Sequence, residues 1–249
     1  MSALELKGVT AGYGHAAAVR DLDLSVKAGE VVALLGPNGA GKTTVLLTAV
    51  GLLSPTAGEV RAFGRPLPRK VEKSARGGVV LVPDSRAIFH ELTVRENLSL
   101  ARRHRARDLD AVLDRLPRLA PLVNRRVGLL SGGEQQMLAL AKALLARPRV
   151  LLVDELSLGL APLAVQELLP IVRALADESW VAVLLVEQHV DLALSVTDRA
   201  VVLHHGRVAL SGSAADLRAD REAVRQAYFG GDEIDPVALR SRDNNTSLV

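Results

Sequence analysis

Residues 30–44 read EVVALLGPNGAGKTT. An unbroken apolar run gives way to a glycine-rich loop, and the loop opens directly into Lys42 and Thr43. The spacing fits G-x-x-x-x-G-K-[ST] between a strand and a helix, the context that separates a phosphate-binding P-loop from an ordinary turn. Gly36, Gly39 and Gly41 let the backbone fold tightly around Pro37, Asn38 and Ala40, so that successive N–H groups of the loop face phosphate oxygens. A helix beginning near Lys42 adds the positive end of its dipole. Lys42 is placed to reach the β- and γ-phosphates, and the Thr43 hydroxyl to bind Mg2+. The candidate phosphate site is therefore Gly36, Pro37, Asn38, Gly39, Ala40, Gly41, Lys42, Thr43 and Thr44.

Such a loop needs a strand buried on both faces behind it, and the chain supplies several. GVVLVP (78–83), VLLVDE (150–155), VAVLLVE (181–187) and RAVVLHHG (199–206) are Val/Leu-rich with little alternation, as central parallel strands are. TTVLLTAVGLL (43–53) and EQQMLALAKALLA (134–146) read as helices between strands. The alternation predicts an α/β fold with a mostly parallel sheet. LELKGVTAGYG and VRDLDLSVKAGE instead alternate apolar and polar residues, like antiparallel strands. Residues 85–145 contain a charged helical stretch interrupted at Pro117 and Pro121, expected to form a lobe outside the sheet. The 249 residues suit one large domain, 1–231, followed by a polar tail, 232–249, expected to be poorly ordered.

Composition excludes several chemistries. With no cysteine, disulfides, thiolate metal sites and cysteine nucleophiles are ruled out. A net charge of +3 is too weak to argue for a nucleic-acid partner, and the densest basic run, ARRHRARD (101–108), reads as a solvated face. MSALELKGVT lacks a charged segment followed by an apolar one, so no signal peptide is expected. No apolar run approaches the roughly 18–20 residues needed to cross a bilayer, so the chain is expected in the cytosol, able to dock on a membrane protein.

Two further motifs complete the reading. RVLLVDE delivers two carboxylates at the end of an apolar strand. Asp154 is placed to support Mg2+ through its water shell, and Glu155 to polarise an attacking water as general base. LSGGEQQM (130–137) then opens a helix with Ser131, Gly132 and Gly133, again turning a hydroxyl and N–H groups toward an anion.

With LSGGEQQ the chain resembles the ATP-binding subunits of ABC transporters, from about Leu4 to Gly231. The resemblance implies that Ser131, Gly132 and Gly133 meet the γ-phosphate of ATP held by a second subunit, so that two subunits sandwich two ATP molecules head to tail. Tyr13 matches the aromatic that stacks on adenine, and SLGLAP (157–162) resembles the D-loop at the dimer interface. IFHELTVRENL, SGGEQQMLALAKAL, SLGLAP, VEQ and VRQAYFGG together look like the branched-chain amino acid transporter ATPases of the LivF type. That resemblance implies ATP and Mg2+ as cofactors, a second ATPase subunit as homo- or heterodimer partner, membrane permeases, and indirectly an extracytoplasmic solute-binding protein.

Three positions depart from the wider family. Asp84 stands where most members carry a glutamine that meets Mg2+ and water; its short side chain favours a water-bridged contact. Leu156 follows Glu155 where proline is usual, which predicts a freer turn. The switch histidine of the family lies ten residues before the Asp of a D-R pair; here that pair is Asp198–Arg199, and the slot holds Gln188, with His189 one residue late. Neighbouring side chains on extended backbone point apart, so Gln188 is expected in the switch slot and His189 elsewhere. The resulting expectation is an ATP-hydrolysing subunit of an importer for branched-chain or related amino acids. A non-transport ABC ATPase and a weakly catalytic partner subunit are the alternatives.

Overall fold

The computed structural model describes residues 2–68, 70–101 and 106–230. Along the chain run β1 (Ser2–Tyr13), β2 (Ala16–Lys27), β3 (Val31–Leu35), α1 (Lys42–Val50), β4 (Ala57–Ala62), β5 (Arg65–Pro66), α2 (Val71–Arg76) and β6 (Val79–Val82). Next come α3 (Val94–Ser99), α4 (Ala106–Arg115), α5 (Gly132–Leu145), β7 (Val150–Asp154), α6 (Pro162–Ser179) and β8 (Ala182–Val186). The last are α7 (Val190–Val196), β9 (Arg199–His204), β10 (Arg207–Ser213), α8 (Ala214–Ala219) and α9 (Arg221–Phe229). Two short 3-10 turns, Pro117–Leu122 and Val127–Leu129, lie between α4 and α5. The basic run 101–108 lies largely outside the described residues, and the tail from Asp232 wholly so.

The larger sheet has the order β10-β9-β3-β8-β7-β6. Its pairs are parallel from β9 through β6, and β10 closes one edge antiparallel to β9. Residue parity splits the central strands between two cores. Leu151, Val153, Val183 and Leu185 pack with α5, α6 and the helical lobe, whereas Val150, Leu152, Leu184 and Val186 pack with α1 and the second sheet. Side chains alternate faces along a strand, so burial on both sides demands an unbroken apolar run. The five apolar runs of the sequence are these five parallel strands.

The second sheet, β2-β1-β4-β5, is antiparallel and covers the far side of α1. Val94, Leu98, Val112, Leu116, Leu119 and Val127, from the helical stretch after β6, share a continuous core with β7, β8 and α6. The 3-10 turn at Pro117–Leu122 accommodates both prolines and still buries Leu119. Asp198, used above only as a ruler, is structural. It accepts the Val31 N–H at 2.8 Å and pairs with Arg173 at 2.7 Å, locking β9 beside β3. Among the described residues no helix is long and apolar enough to cross a membrane.

Candidate functional site

Register fixes where the candidate residues meet. Leu34 pairs with Val186, Asp154 with Val186, and Val82 with Val153. The segments leaving these strands therefore emerge together at one end of the sheet: the P-loop after β3, Asp84 after β6, Glu155 after β7, and Glu187 and Gln188 after β8. In open parallel sheets the crevice beyond the carboxyl ends of the strands is where ligands bind.

The P-loop is wedged between neighbours that leave room only for glycine at two points. Gly36 has φ +145, and a Cβ there would stand 2.3 Å from the Leu203 carbonyl oxygen. Gly41 has φ +103, and a Cβ would stand 2.7 Å from the Ala18 carbonyl oxygen. The Gly206 N–H, from the turn between β9 and β10, donates to the Ala40 carbonyl at 3.1 Å. Gly41 begins α1 with no side-chain cap, leaving the first-turn N–H groups to an anion. Lys42 is buried and donates to the carbonyls of Gly36 at 2.8 Å and Pro37 at 3.0 Å. Burial lowers its pKa, against the pull of Glu155 and Asp154, which places both carboxylates within its field. Thr43 is exposed and Thr44 buried, the two sides of the first helical turn.

Asp154 is 3% exposed, and its Oδ1 has no hydrogen-bond partner. Burial pushes its pKa up to about 6; the Thr43 hydroxyl opposes the shift, and Asp84 and Glu155 add to it. A buried carboxylate with one vacant oxygen, a threonine hydroxyl beside it and two more acids nearby is a hard-oxygen donor set that fits Mg2+. Among the described residues no group of three or more His, Asp or Glu is placed to hold a metal ion.

Glu155 has φ +48, left-handed backbone that a non-glycine residue rarely adopts. Three contacts hold it. Its N–H donates to the Val186 carbonyl at 3.0 Å, its Oε1 accepts from the Gln188 side-chain amide at 2.6 Å, and the next residue, Leu156, is fully buried. The freer turn expected from leucine in place of proline is therefore corrected. Leu156 anchors the turn by packing into the core shared by α5 and α6, and burial does the work of a fixed φ.

Gln188 is half-buried and faces Glu155, whereas His189 is exposed and begins α7 without capping it. Asp84 is exposed, and its Oδ1 accepts the N–H of Ser85 at 2.6 Å, while its charge reaches Asp154. Tyr13, 57% exposed, ends β1 opposite Ala16, two residues from the Ala18 carbonyl that touches Gly41. Ser131 caps α5: its Oγ accepts the Glu134 N–H at 3.3 Å, and Glu134 Oε2 accepts the Ser131 N–H at 2.7 Å. Gly132 and Gly133 abut the segment that follows Glu155, against Leu160 and Ala164.

Three residues at this end of the sheet were not singled out from sequence. Glu187 is 1% exposed, and its carboxylate accepts the Ser157 N–H at 3.0 Å and the Ser157 Oγ–H at 2.5 Å. Burial raises its pKa, against the Ser157 bonds. An acid closing the run VAVLLVE was the available signal, because a carboxylate so placed must find buried donors. Arg86, at φ +62, donates to Gln135 at 2.8 Å and Gln136 at 2.9 Å and so ties the segment after Asp84 to α5. Tyr228, on α9, has its pKa raised by burial and by Glu155, and with Gln188 it lines a cleft of about 300 Å³.

The model of the family described as "ABC transporter" matches residues 19–157. The chain is 41% identical over 234 residues to the high-affinity branched-chain amino acid transport ATP-binding protein BraG of Pseudomonas aeruginosa, covering 92% of this chain and all of that protein. Among solved structures it resembles an ATP-binding subunit of an ABC transporter, at 30% identity and TM-score 0.79, covering 92% of this chain and 98% of the other. It also resembles a dimeric ATP-binding cassette in a post-hydrolysis state with ADP and Pi, at 25% identity and TM-score 0.76, covering 85% and 98%.

Proposed function

The chain belongs to the ABC transporter family of ATP-hydrolysing subunits, and from that premise we propose that it powers an importer for branched-chain or related amino acids. The observation that carries the reading of the site is the meeting of Lys42, Asp154, Glu155 and Gln188 at one end of the parallel sheet. Residues 1–231 would act as one ATP-binding domain whose helical lobe carries Ser131.

In this reading Lys42 gives up the Gly36 and Pro37 carbonyls and takes phosphate oxygens of ATP. Tyr13 stacks on adenine. Thr43 and Asp154 would hold Mg2+, which supplies charge neutralisation at the phosphates when bound. Glu155 takes a proton from water as the water oxygen bonds to the γ-phosphorus; the bond to the β–γ bridging oxygen breaks, leaving ADP. Gln188 orients Glu155 through the 2.6 Å amide bond. Asp84, whose charge reaches Asp154, would act on the ion through a bridging water. Ser131, Gly132 and Gly133 act on ATP held by a second subunit, and nucleotide-driven closure of the pair drives membrane permeases fed by a solute-binding protein. The subunit then sits on the cytoplasmic face of the membrane through the permeases.

Glu155→Gln should lower turnover by about a thousandfold while trapping ATP-bound dimers, measured by phosphate release and size-exclusion chromatography. Parent-like turnover in that variant would remove Glu155 from the role of base. The substrate class is tested with the permease complex in proteoliposomes: ATP hydrolysis should rise when binding protein loaded with leucine, isoleucine or valine is supplied, and stay basal with the unloaded protein. Asp84, half committed to its own turn, favours a second reading in which this is the slower subunit of a pair. Turnover of the purified chain alone and with its partner subunit separates the two.

A further inference from the structure

The two loops that present Glu155 and Gln188 are joined twice. Gln188 donates to Glu155 at 2.6 Å, and Glu187 receives both the N–H and the hydroxyl of Ser157. Ser157 lies two residues after Glu155, and Glu187 immediately before Gln188, so the contacts close a ring: Glu155, Leu156, Ser157, across to Glu187 and Gln188, and back to Glu155. The ring contains the left-handed residue Glu155, and such backbone persists only where its surroundings over-determine it. Glu187 is also the sole acid in the ring with no solvent exposure to speak of, at 1%. A buried carboxylate at a strand end is costly unless its donors are fixed.

We propose that Glu187 is a positioning residue for hydrolysis: it fixes the Ser157 segment to the end of β8, and thereby aims Glu155. The segment it fixes continues through exposed Leu158 to Leu160, against which Gly132 packs. The segment from Glu155 to Leu160 therefore runs from the hydrolysing carboxylate to the start of α5, and Glu187 holds it at Ser157. A displacement of residues 157–160 on closure against a second subunit would reach Glu155 both along the chain and around the ring through the Glu187 carboxylate and Gln188. This inference rests on the role proposed for Glu155.

The test is steady-state Mg-ATP hydrolysis by the purified full-length chain. Glu187→Ala should lower kcat by about tenfold or more while KM for ATP stays within about twofold, the pattern of an interaction that matters only in the transition state. Glu187→Gln should recover kcat to within about threefold of the parent, because its amide can accept the Ser157 N–H and donate to the Ser157 hydroxyl. The double variant Ser157→Ala with Glu187→Ala should be no slower than Glu187→Ala alone, since both act through one contact. Parent-like kcat in Glu187→Ala, or an equal loss in Glu187→Gln, overturns the proposal. If Glu187→Ala does not fold, Ser157→Ala decides alone: about a threefold loss of kcat supports the bridge, and a parent rate overturns it. Glu155→Gln, run alongside, separates the two readings. Turnover retained there defeats the role of Glu155, whereas its loss together with a parent-like Glu187→Ala defeats only the bridge.

Discussion

The chain opens two helices with glycines next to a hydroxyl, and it finishes the two openings differently. At α1, Gly41 takes a left-handed conformation and no side chain caps the helix. Lys42 is folded back on the loop carbonyls, so the positive charge waits inside the cradle. At α5, Ser131 and Glu134 form a reciprocal capping box, and Glu134 is held in its charged form first by the Ser131 N–H. The first opening is a ready anion site. The second has already satisfied the Ser131 and Glu134 N–H groups with its own side chains. In the proposed function α5 meets phosphate only when a partner brings it, and such a helix start is better stored closed. One that must capture free nucleotide is better stored open.

The sharpest break of that comparison is on the open side. Lys42→Ala should weaken ATP binding by about a hundredfold or more, because it removes a buried charge aimed at the phosphates. Isothermal titration with the isolated chain measures it. Near-parent affinity would mean that the loop glycines alone make the cradle.

The open side is also the electrostatically costly one. The Asp154 carboxyl has a pKa of about 6 in the fold against an ordinary 3.8. A raised carboxyl pKa adds stability that is complete below 3.8 and is lost as pH rises through 6. At 1.36 kcal/mol per pH unit the loss is about 3 kcal/mol by neutral pH. Asp154→Asn should therefore match the parent in urea unfolding near pH 4 and exceed it by up to about 3 kcal/mol at pH 7, without nucleotide or magnesium. A constant gap across that range would place the strain elsewhere. On the closed side, Ser131→Ala should leave ATP affinity of the isolated chain unchanged, lower turnover by about tenfold, and destabilise α5 by about 1 kcal/mol. Impaired binding in the isolated chain would mean that Ser131 serves its own P-loop.

The open cradle was legible in sequence because everything it needs is local: a strand, glycines at set spacing, a lysine. The doubly buried strands were legible for the same reason, each being its own apolar run. The ring around Glu155 was not. Ser157 and Glu187 are 30 residues apart, and Glu155 and Gln188 are 33. The pairing of β7 with β8, which sets Asp154 beside Val186, brings them together. Leu156 misled for a related reason. Read locally, it lacks what proline gives a turn; read in the fold, it is a core residue that happens to follow the acid. The capping box of α5 lay in the sequence as Ser131 and Glu134, yet its consequence, a helix start closed by its own side chains, takes meaning only beside the uncapped α1.

The smallest effect tests the register of the third loop, after β8. Side chains of adjacent residues diverge there: Gln188 reaches Glu155, while His189 is exposed and leaves its helix uncapped. A histidine at this place would be a tempting switch, but it is Gln188 that bonds to Glu155, while His189 is exposed. Gln188→Ala should lower kcat by about tenfold, since Glu155 loses the side-chain amide that donates to it. His189→Ala should change kcat by less than about twofold. The reverse order would mean that closure with a partner rotates this loop by one residue. The contrast between an open P-loop and a closed α5 would then extend to a third element, stored turned away and brought in only with the second subunit.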